Sequence, residues 1–248
     1  MNILLTGSEG FIGQHIQSFL KDKHNLICLD KKTGNDLLNC NLDYDVDLVI
    51  HLAGLSGVRD SLDNPVDYWT NNVVATYRIF NQFKNGPKIL YASSSTAYEP
   101  WRNPYAMSKH YMETIAPHNA LAMRFTTVYG PGAREKMLIP KILKNDVEYI
   151  NVDHSRDFIH IDDILTAVGT LIVNPIPRKP KFVDIGTGVS NNLLDILSHL
   201  NMEVKDKRMG TIFERKDNKA NIGTLTKMGW LPTIDLFDYL KGEIDGDI

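Results

Sequence analysis

Three glycines at a spacing of three, Gly7, Gly10 and Gly13, join an apolar run, Asn2–Thr6, to a segment with helical periodicity, Phe11–Leu20. In a strand–turn–helix setting each has a physical task. The first permits the tight turn, the second lets backbone approach a pyrophosphate, and the third lets the helix pack close to the strand. The helix N-terminus adds free N–H groups and the positive end of a dipole. Asp30 ends the next strand-like run, Asn25–Asp30. A carboxylate there accepts both hydroxyls of a ribose and repels a 2′-phosphate, which favours NAD over NADP, although Lys31 and Lys32 follow directly. The turn has no GKS or GKT and is not a nucleoside triphosphatase loop.

A second set of groups is suited to proton transfer. Tyr105 and Lys109, four apart at the start of a helical pattern, share one helix face. A lysine ammonium there favours a phenolate, which takes a proton from a substrate hydroxyl as hydride leaves carbon. The spacing alone is commonplace. It gains weight because it follows the hydroxyl run Ser93–Thr96 at a strand end, on the sheet edge where such folds bind ligands. His51, at another strand end, and His160 read as structural. Cys28 and Cys40 stand in strand-like contexts without CxxC, and with no HExxH and no carboxylate cluster the expectation is no metal. The absence of GxSxG argues against an α/β-hydrolase.

The elements that position these groups alternate in type. Strands are expected at Asn2–Thr6, Asn25–Asp30, Val46–Leu52, Pro87–Ala92 and Leu121–Phe125, with helices at Phe11–Leu20, Val66–Phe83 and Tyr105–Ile115. Leu52, Val74 and Phe80 are expected in the core. Such alternation implies an α/β fold of Rossmann type, a doubly wound parallel sheet covered on both faces. After about residue 130 prolines multiply and elements shorten, with helices expected at Met137–Lys144, Ile161–Val173, Leu193–Leu200 and Leu236–Lys241 and a strand at Phe182–Ile185. The expected division is a nucleotide-binding domain, 1–130, and a small C-terminal substrate lobe, 131–248, partly interleaved with the sheet.

Composition narrows the class. With 43% apolar and 23% charged residues in 248, the chain can bury a sizeable core and is not a disordered one. Lys plus Arg number 27 and Asp plus Glu 30, so the net charge of −3 gives no reason to expect nucleic acid or an anionic membrane. No apolar run is long enough to span a bilayer, and MNILLTG has no basic leader, so a reducing cytoplasmic setting is expected.

Ordered stretches from residue 1 to about 240, namely LLTGSEGFIG, VIHLAG, SGVRDSLDNP, TNNVVAT, SSSTAY, PYAMSK, RFTTVYGPG, RDFIHIDD, VDIGTG and MGWLPT, resemble the extended short-chain dehydrogenase/reductases. The branch they are most similar to holds the NAD-dependent sugar epimerases and dehydratases. The resemblance implies a resident NAD, a nucleotide-diphosphate sugar as substrate, and a homodimer as one allowed assembly. It implies that Tyr105 is the base, Lys109 its partner and Ser94 the hydroxyl on the sugar 4-oxygen. The cofactor residues it implies are Gly7, Gly10, Phe11, Ile12, Gly13, Asp30, Asp36, Leu37, Leu52, Ala53, Gly54 and Asn72, with Tyr105 and Lys109. Arg156 and Arg215 match arginines that clamp the diphosphate, each with a bidentate fork.

Two positions refine the reading. Two residues before Tyr98, related dehydratases and decarboxylases carry an acid and 3,5-epimerases a cysteine; here stands Thr96, and plain 4-epimerisation needs neither. SGVRDSLDNP and RFTTVYGPGAREKM are most similar to UDP-glucuronate 4-epimerases, which implies that Ser95, Thr127 and Arg134 cradle a C6 carboxylate. The implied function is a UDP-glucuronate- or UDP-glucose-type 4-epimerase. A 4-keto reductase or 4,6-dehydratase, and an NAD-binding protein without turnover, stay open as alternatives. The chain departs from its relatives in the short Ser94–Tyr105 connection, in Glu99 where a glycine usually follows the tyrosine, and in the trimmed stretch after Lys109 that Pro117 ends.

Overall fold

The computed structural model describes residues 1–246. Two units emerge, one of residues 1–125 with 171–183, the other of 126–170 with 184 onward. In chain order the first contains β1 (Asn2–Thr6), α1 (Phe11–Leu20), β2 (Asn25–Leu29), β3 (Leu48–His51), α2 (Val58–Asp63) and α3 (Pro65–Tyr68). A π-helical turn, Trp69–Val74, then leads into α4 (Ala75–Phe83), β4 (Lys88–Ser94), α5 (Pro104–Thr114) and β5 (Ala120–Phe125). There follow β6 (Thr127–Tyr129), α6 (Leu138–Leu143), β7 (Tyr149–Asn151), β8 (Ser155–Arg156), β9 (Phe158–His160), α7 (Ile161–Val173) and β10 (Phe182–Ile185). The last elements are β11 (Asn191–Asn192), α8 (Leu193–His199), β12 (Asp206–Arg208), α9 (Gly223–Lys227) and α10 (Leu236–Asp245).

The main sheet has the order β2-β1-β3-β4-β5-β10. Strands β1 to β5 pair in parallel. The bonds Ala122 N to Lys181 O and Thr126 N to Ile185 O advance together, so β10 is parallel as well. The chain lays β2 on one side of β1 and β3 on the other. That reversal opens a crevice at the strand carboxyl ends, where ligands bind in doubly wound sheets. Parallel strands are covered on both faces and must be apolar throughout. Accordingly Ile3, Leu4, Leu5, Val49, Ile50, Ile89, Leu90 and Ala122 are wholly buried. Phe80, Phe83, Tyr91 and Met112 fill one layer between sheet and helices.

Several expected bounds shift. β2 stops at Leu29, because Asp30 turns away to cap the short 3₁₀ helix Lys31–Thr33. β4 runs on through Ser93 and Ser94, which pair with Arg124 and Phe125. Cys40 is not in a strand; it closes a turn by donating its N–H to the Asp36 carbonyl. Val74 is 42% exposed, not core, because Asn72, Val73, Thr76, Ile79, Phe80 and Phe83 form the buried face of that helix.

In the second unit, Tyr129, Ile139, Ile142, Ile150, Phe158, Ile196, Leu197 and Leu240 make a separate core. Buried carboxylates tie its loops together. Asp157 accepts from the amides of Thr187, Gly188 and Ala220 and from the Thr187 hydroxyl, at 2.8 to 3.0 Å. Asp163 does the same for Thr233 and Ile234. Among the described residues no helix is long and apolar enough to cross a membrane.

Candidate active site

The glycine turn lies at the end of β1, against the segment that follows β3. Gly7 has φ of +74°, and a Cβ on it would stand 2.5 Å from the Ala53 nitrogen. A Cβ on Gly13 would stand 2.1 Å from the Gly7 oxygen. Both positions therefore exclude side chains, one by backbone conformation and contact, the other by contact alone. Gly10 differs: its Cβ would meet only the Gly7 oxygen, at 3.2 Å. It is the N-cap of α1 and supplies no side-chain cap, which leaves the first amides of the helix for another acceptor. Such a cradle fits a pyrophosphate.

Asp30 faces this turn. Its Oδ2 accepts the Glu9 amide at 3.0 Å and its Oδ1 the Lys32 amide at 2.8 Å. Those bonds orient the carboxylate and leave each oxygen a further lone pair for ribose hydroxyls. Lys32 Nζ is bonded to the Glu9 carbonyl (3.1 Å) and Lys31 pairs with Asp36 (3.1 Å). The Leu38 amide, then the Lys31 ammonium, hold the Asp36 carboxyl below the usual range. Leu37 is buried, and Arg78 donates to its carbonyl and to that of Cys40.

The proton-transfer groups are carried by α5. Asn103 caps it, accepting the Ala106 amide at 2.7 Å, and Pro104 occupies its first position, where no amide hydrogen is needed. Tyr105 thus stands in the first turn, where the helix dipole favours negative charge. Its ring meets Tyr68 edge-on with centroids 6.0 Å apart, and Tyr68 is itself anchored by donating to the Ser56 carbonyl (2.9 Å). Lys109, one turn on, is 4% exposed. Its Nζ donates to the Ala92 carbonyl at 2.8 Å and lies 6.0 Å from the Tyr105 ring centroid. Burial pulls its pKa down to about 8, and Glu113 opposes that fall.

Asn72 links the neighbouring loop to the same helix. Its Oδ1 accepts the Leu55 amide (2.7 Å), and its Nδ2 donates to the Leu55 carbonyl (3.1 Å) and to Ser108 Oγ (2.9 Å). A Cβ on Gly54, whose φ is +156°, would touch Asn72 Oδ1 at 2.8 Å and Lys109 Nζ at 3.5 Å. Loop, asparagine and lysine therefore close on one point. Ser94, at the end of β4, is buried, and its hydroxyl oxygen accepts from the Thr96 amide (3.2 Å) and hydroxyl (3.0 Å). Ser95 is buried at the start of the 3₁₀ turn Ser95–Tyr98. The shortened connection to α5 is a second 3₁₀ turn, Pro100–Arg102, closed by the Glu99–Arg102 ion pair.

His51 is fully buried between hydroxyls, with Nδ1 2.6 Å from Thr6 Oγ1 and Nε2 2.8 Å from Thr76 Oγ1. Burial, with the Lys109 charge beside it, drives its pKa to about 3, so it stays neutral. In the second unit, Thr127 Oγ1 accepts from Asn218 Nδ2 (3.0 Å). Arg134 is exposed in a turn. Arg156 Nη1 donates to the carbonyls of Ser155 (2.8 Å) and Lys216 (3.1 Å), and Nη2 lies 3.5 Å from Glu214, the neighbour of the half-buried Arg215. Sequence reasoning did not single out Glu113, Arg124, Asp157, Asp163 or Asn218, and took Ser93 only as part of the hydroxyl run Ser93–Thr96. The signals were that Arg124 opens RFTTVYGPG, Ser93 opens SSSTAY, and Asp157 and Asp163 fall inside RDFIHIDD.

Residues 3–186 match the model of the NAD dependent epimerase/dehydratase family. The chain belongs to that family. It is 30% identical to a putative UDP-glucose 4-epimerase of Methanocaldococcus jannaschii, with 96% of each chain covered. That alignment runs over 299 positions, so these 248 residues span the relative with segments missing. A UDP-glucuronate 4-epimerase of Thermodesulfobacterium geofontis is 28% identical, covering 98% of this chain and 94% of its own. Among solved structures, the UDP-glucuronic acid 4-epimerase of Bacillus cereus in complex with UDP-glucuronic acid and NAD superposes with a TM-score of 0.82 at 27% identity, covering 99% of this chain and 98% of that one. The protein is therefore an enzyme of the NAD-dependent epimerase/dehydratase family, with a Rossmann-type α/β fold and NAD as its cofactor.

Proposed function

We propose that this enzyme is a nucleotide-sugar 4-epimerase acting on a UDP-glucuronate- or UDP-glucose-type substrate. The observation that carries the reading is α5: it sets a half-buried tyrosine in its first turn and a buried lysine one turn later. NAD bound there would supply a reversible hydride acceptor for the sugar C4. Gly7, Gly10, Phe11, Ile12 and Gly13 would hold its pyrophosphate, Asp30 the adenosine ribose, and Asp36 and Leu37 the adenine. Leu52, Ala53, Gly54, Asn72 and Lys109 would line the rest of its length.

The remaining steps belong to side chains. Tyr105 takes the proton from the sugar 4-hydroxyl and later gives it back. Lys109, held on the Ala92 carbonyl, supplies the positive charge that favours the phenolate. Ser94 has its oxygen lone pairs engaged by Thr96, so its own hydroxyl hydrogen is free to be donated to the sugar 4-oxygen. Thr96, bound in this way to Ser94, is no acid or base near neutral pH, which favours 4-epimerisation over a dehydration that needs one. The substrate roles proposed for Ser95, Thr127, Arg134, Arg156 and Arg215 stand on the resemblance alone.

Proton NMR of the purified protein with UDP-glucuronate, UDP-glucose and their 4-epimers, with no cofactor added, tests the proposal. New anomeric signals that reach one ratio from both sides support it. Signals of a 4-keto-6-deoxy sugar, or turnover only with added reduced cofactor, replace it with a dehydratase or a reductase. Tyr105→Phe should keep NAD and lose about 10²–10⁴-fold in kcat.

A further inference from the structure

Beside the assigned groups lies a second polar cluster, wholly within the first unit. Glu113, four residues beyond Lys109 on α5, accepts a forked pair of hydrogen bonds from Arg124 of β5: Nε to Oε1 at 2.8 Å and Nη2 to Oε2 at 2.5 Å. Ser93 Oγ, from β4, donates to the same Oε1 at 2.5 Å. The Arg124 guanidinium also lies against the rings of Tyr98 and Phe182, 4.1 and 3.6 Å from their centroids. The two charged side chains are only 6% and 11% exposed.

Taking such a pair out of water costs as much as its attraction returns, and apolar side chains would glue the elements equally well. What the forked bonds and the ring stack add is direction, since a guanidinium meets a carboxylate in one plane and one register. Each partner adjoins a group with a proposed role. Ser93 precedes Ser94, Tyr98 ends the 3₁₀ turn that Ser94 caps, and Glu113 follows Lys109 by one turn. We propose that Glu113 and Arg124 are positioning residues that fix α5 against the ends of β4 and β5, and with it Tyr105 and Lys109 relative to Ser94. The catalytic roles in that statement rest on the 4-epimerase reading; the positioning does not.

Electrostatics supplies a signature that packing alone would not. The titratable groups facing Lys109 are Tyr105 and Glu113 on its own helix and the neutral His51 from β3. Glu113 is thus the anion that holds the Lys109 pKa up against burial. Glu113→Gln retains hydrogen-bonding atoms and removes that charge. Arg124→Lys retains the charge and removes the fork. The measurements are kcat and KM over pH, bound NAD, and the titration of Lys109 followed by ¹³Cε-lysine NMR, assigned by difference with Lys109→Met.

In both variants kcat should fall about 10–100-fold, as for a displacement near 1 Å, with KM for the sugar nucleotide and NAD content held. The Lys109 midpoint should move to lower pH in Glu113→Gln and stay in place in Arg124→Lys. Wild-type kcat in Arg124→Lys, or an unmoved Lys109 midpoint in Glu113→Gln, overturns the proposal. Should Glu113→Gln not fold, Arg124→Lys decides by its kcat. Should the wild type turn over no sugar nucleotide, the 4-epimerase reading fails, and the ¹³Cε chemical shift of Lys109 in Arg124→Lys still decides this one, because a displaced α5 changes it and an undisplaced one leaves it at the wild-type value.

Discussion

Replacing Gly13 by alanine puts a methyl group 2.1 Å from the Gly7 oxygen and 2.9 Å from the Gly7 carbonyl carbon and the Ser8 Cα. All three atoms are backbone, so no side chain can swing aside. To restore an ordinary contact of about 3.5 Å, α1 must move off β1 by roughly 1 Å. Alanine gains about 1 kcal/mol of helix propensity over glycine. Overpacking against backbone costs about 3 kcal/mol, so the net loss is about 2 kcal/mol. For a chain of this size that is a fall in Tm of about 4–8 °C, measurable by circular dichroism. Gly10→Ala is the matched control, because its methyl meets one atom at 3.2 Å and the position is a helix N-cap. It should cost under about 1 kcal/mol of stability. Yet its methyl stands in the cradle, and NAD affinity by equilibrium dialysis should drop about 5–150-fold. A Gly13→Ala protein with wild-type Tm would refute the close packing of α1. A Gly10→Ala protein with wild-type NAD affinity would refute the pyrophosphate assignment of the turn.

Lys109 should be a net cost to the fold at neutral pH: its pKa is about 8 in the folded chain against 10.5 when free, so burial of the charge costs about 3 kcal/mol. Lys109→Met, inactive, should therefore melt higher by about 2 kcal/mol at pH 7, with the advantage shrinking between pH 8 and 10.5 and gone above; a lower Tm at pH 7 contradicts this. His51 is neutral in the fold to about pH 3, while the unfolded chain takes up its proton near 6.5. Stability should fall by about 1.4 kcal/mol per pH unit across that window, and His51→Gln should flatten the slope in urea titrations. Asp157→Asn puts an NH₂ among donors that all point inward, and should lower stability by about 3 kcal/mol or leave the second unit unfolded by near-ultraviolet circular dichroism.

The parts read directly from sequence are those whose physics is local. A glycine turn between an apolar strand and a helix, a second strand that stops one residue short of its expected end at Asp30, and a helix carrying Tyr105 and Lys109 one turn apart, begun one residue before its expected start, depend on neighbouring residues only. The Rossmann-type sheet followed from the same alternation. What escaped is bonded across long separations. Glu113 carries no periodic or motif signal and Arg124 only its place at the head of RFTTVYGPG, and their fork exists only once α5 lies on β5. Asp157 looks like a surface carboxylate until segments 30 and 63 residues away deliver their amides. Val74 failed for a different reason: apolar content was read as burial, whereas the packed face of its helix runs through Asn72, Thr76 and Phe83.

The order of strands has a consequence for synthesis. β10 pairs with β5, yet the two are separated in the chain by the whole segment 126–181. A nascent chain that has released ALAMRF from the ribosome therefore has a buried-type strand waiting as an open sheet edge. At about 5–20 residues per second, the wait until Phe182 is made lasts roughly 3–11 s. Through that interval an apolar edge offers its unpaired amides to any other strand, including the same one on the next polysome-bound copy. Expression temperature and chaperone supply should thus govern the yield of this chain more than its final stability does.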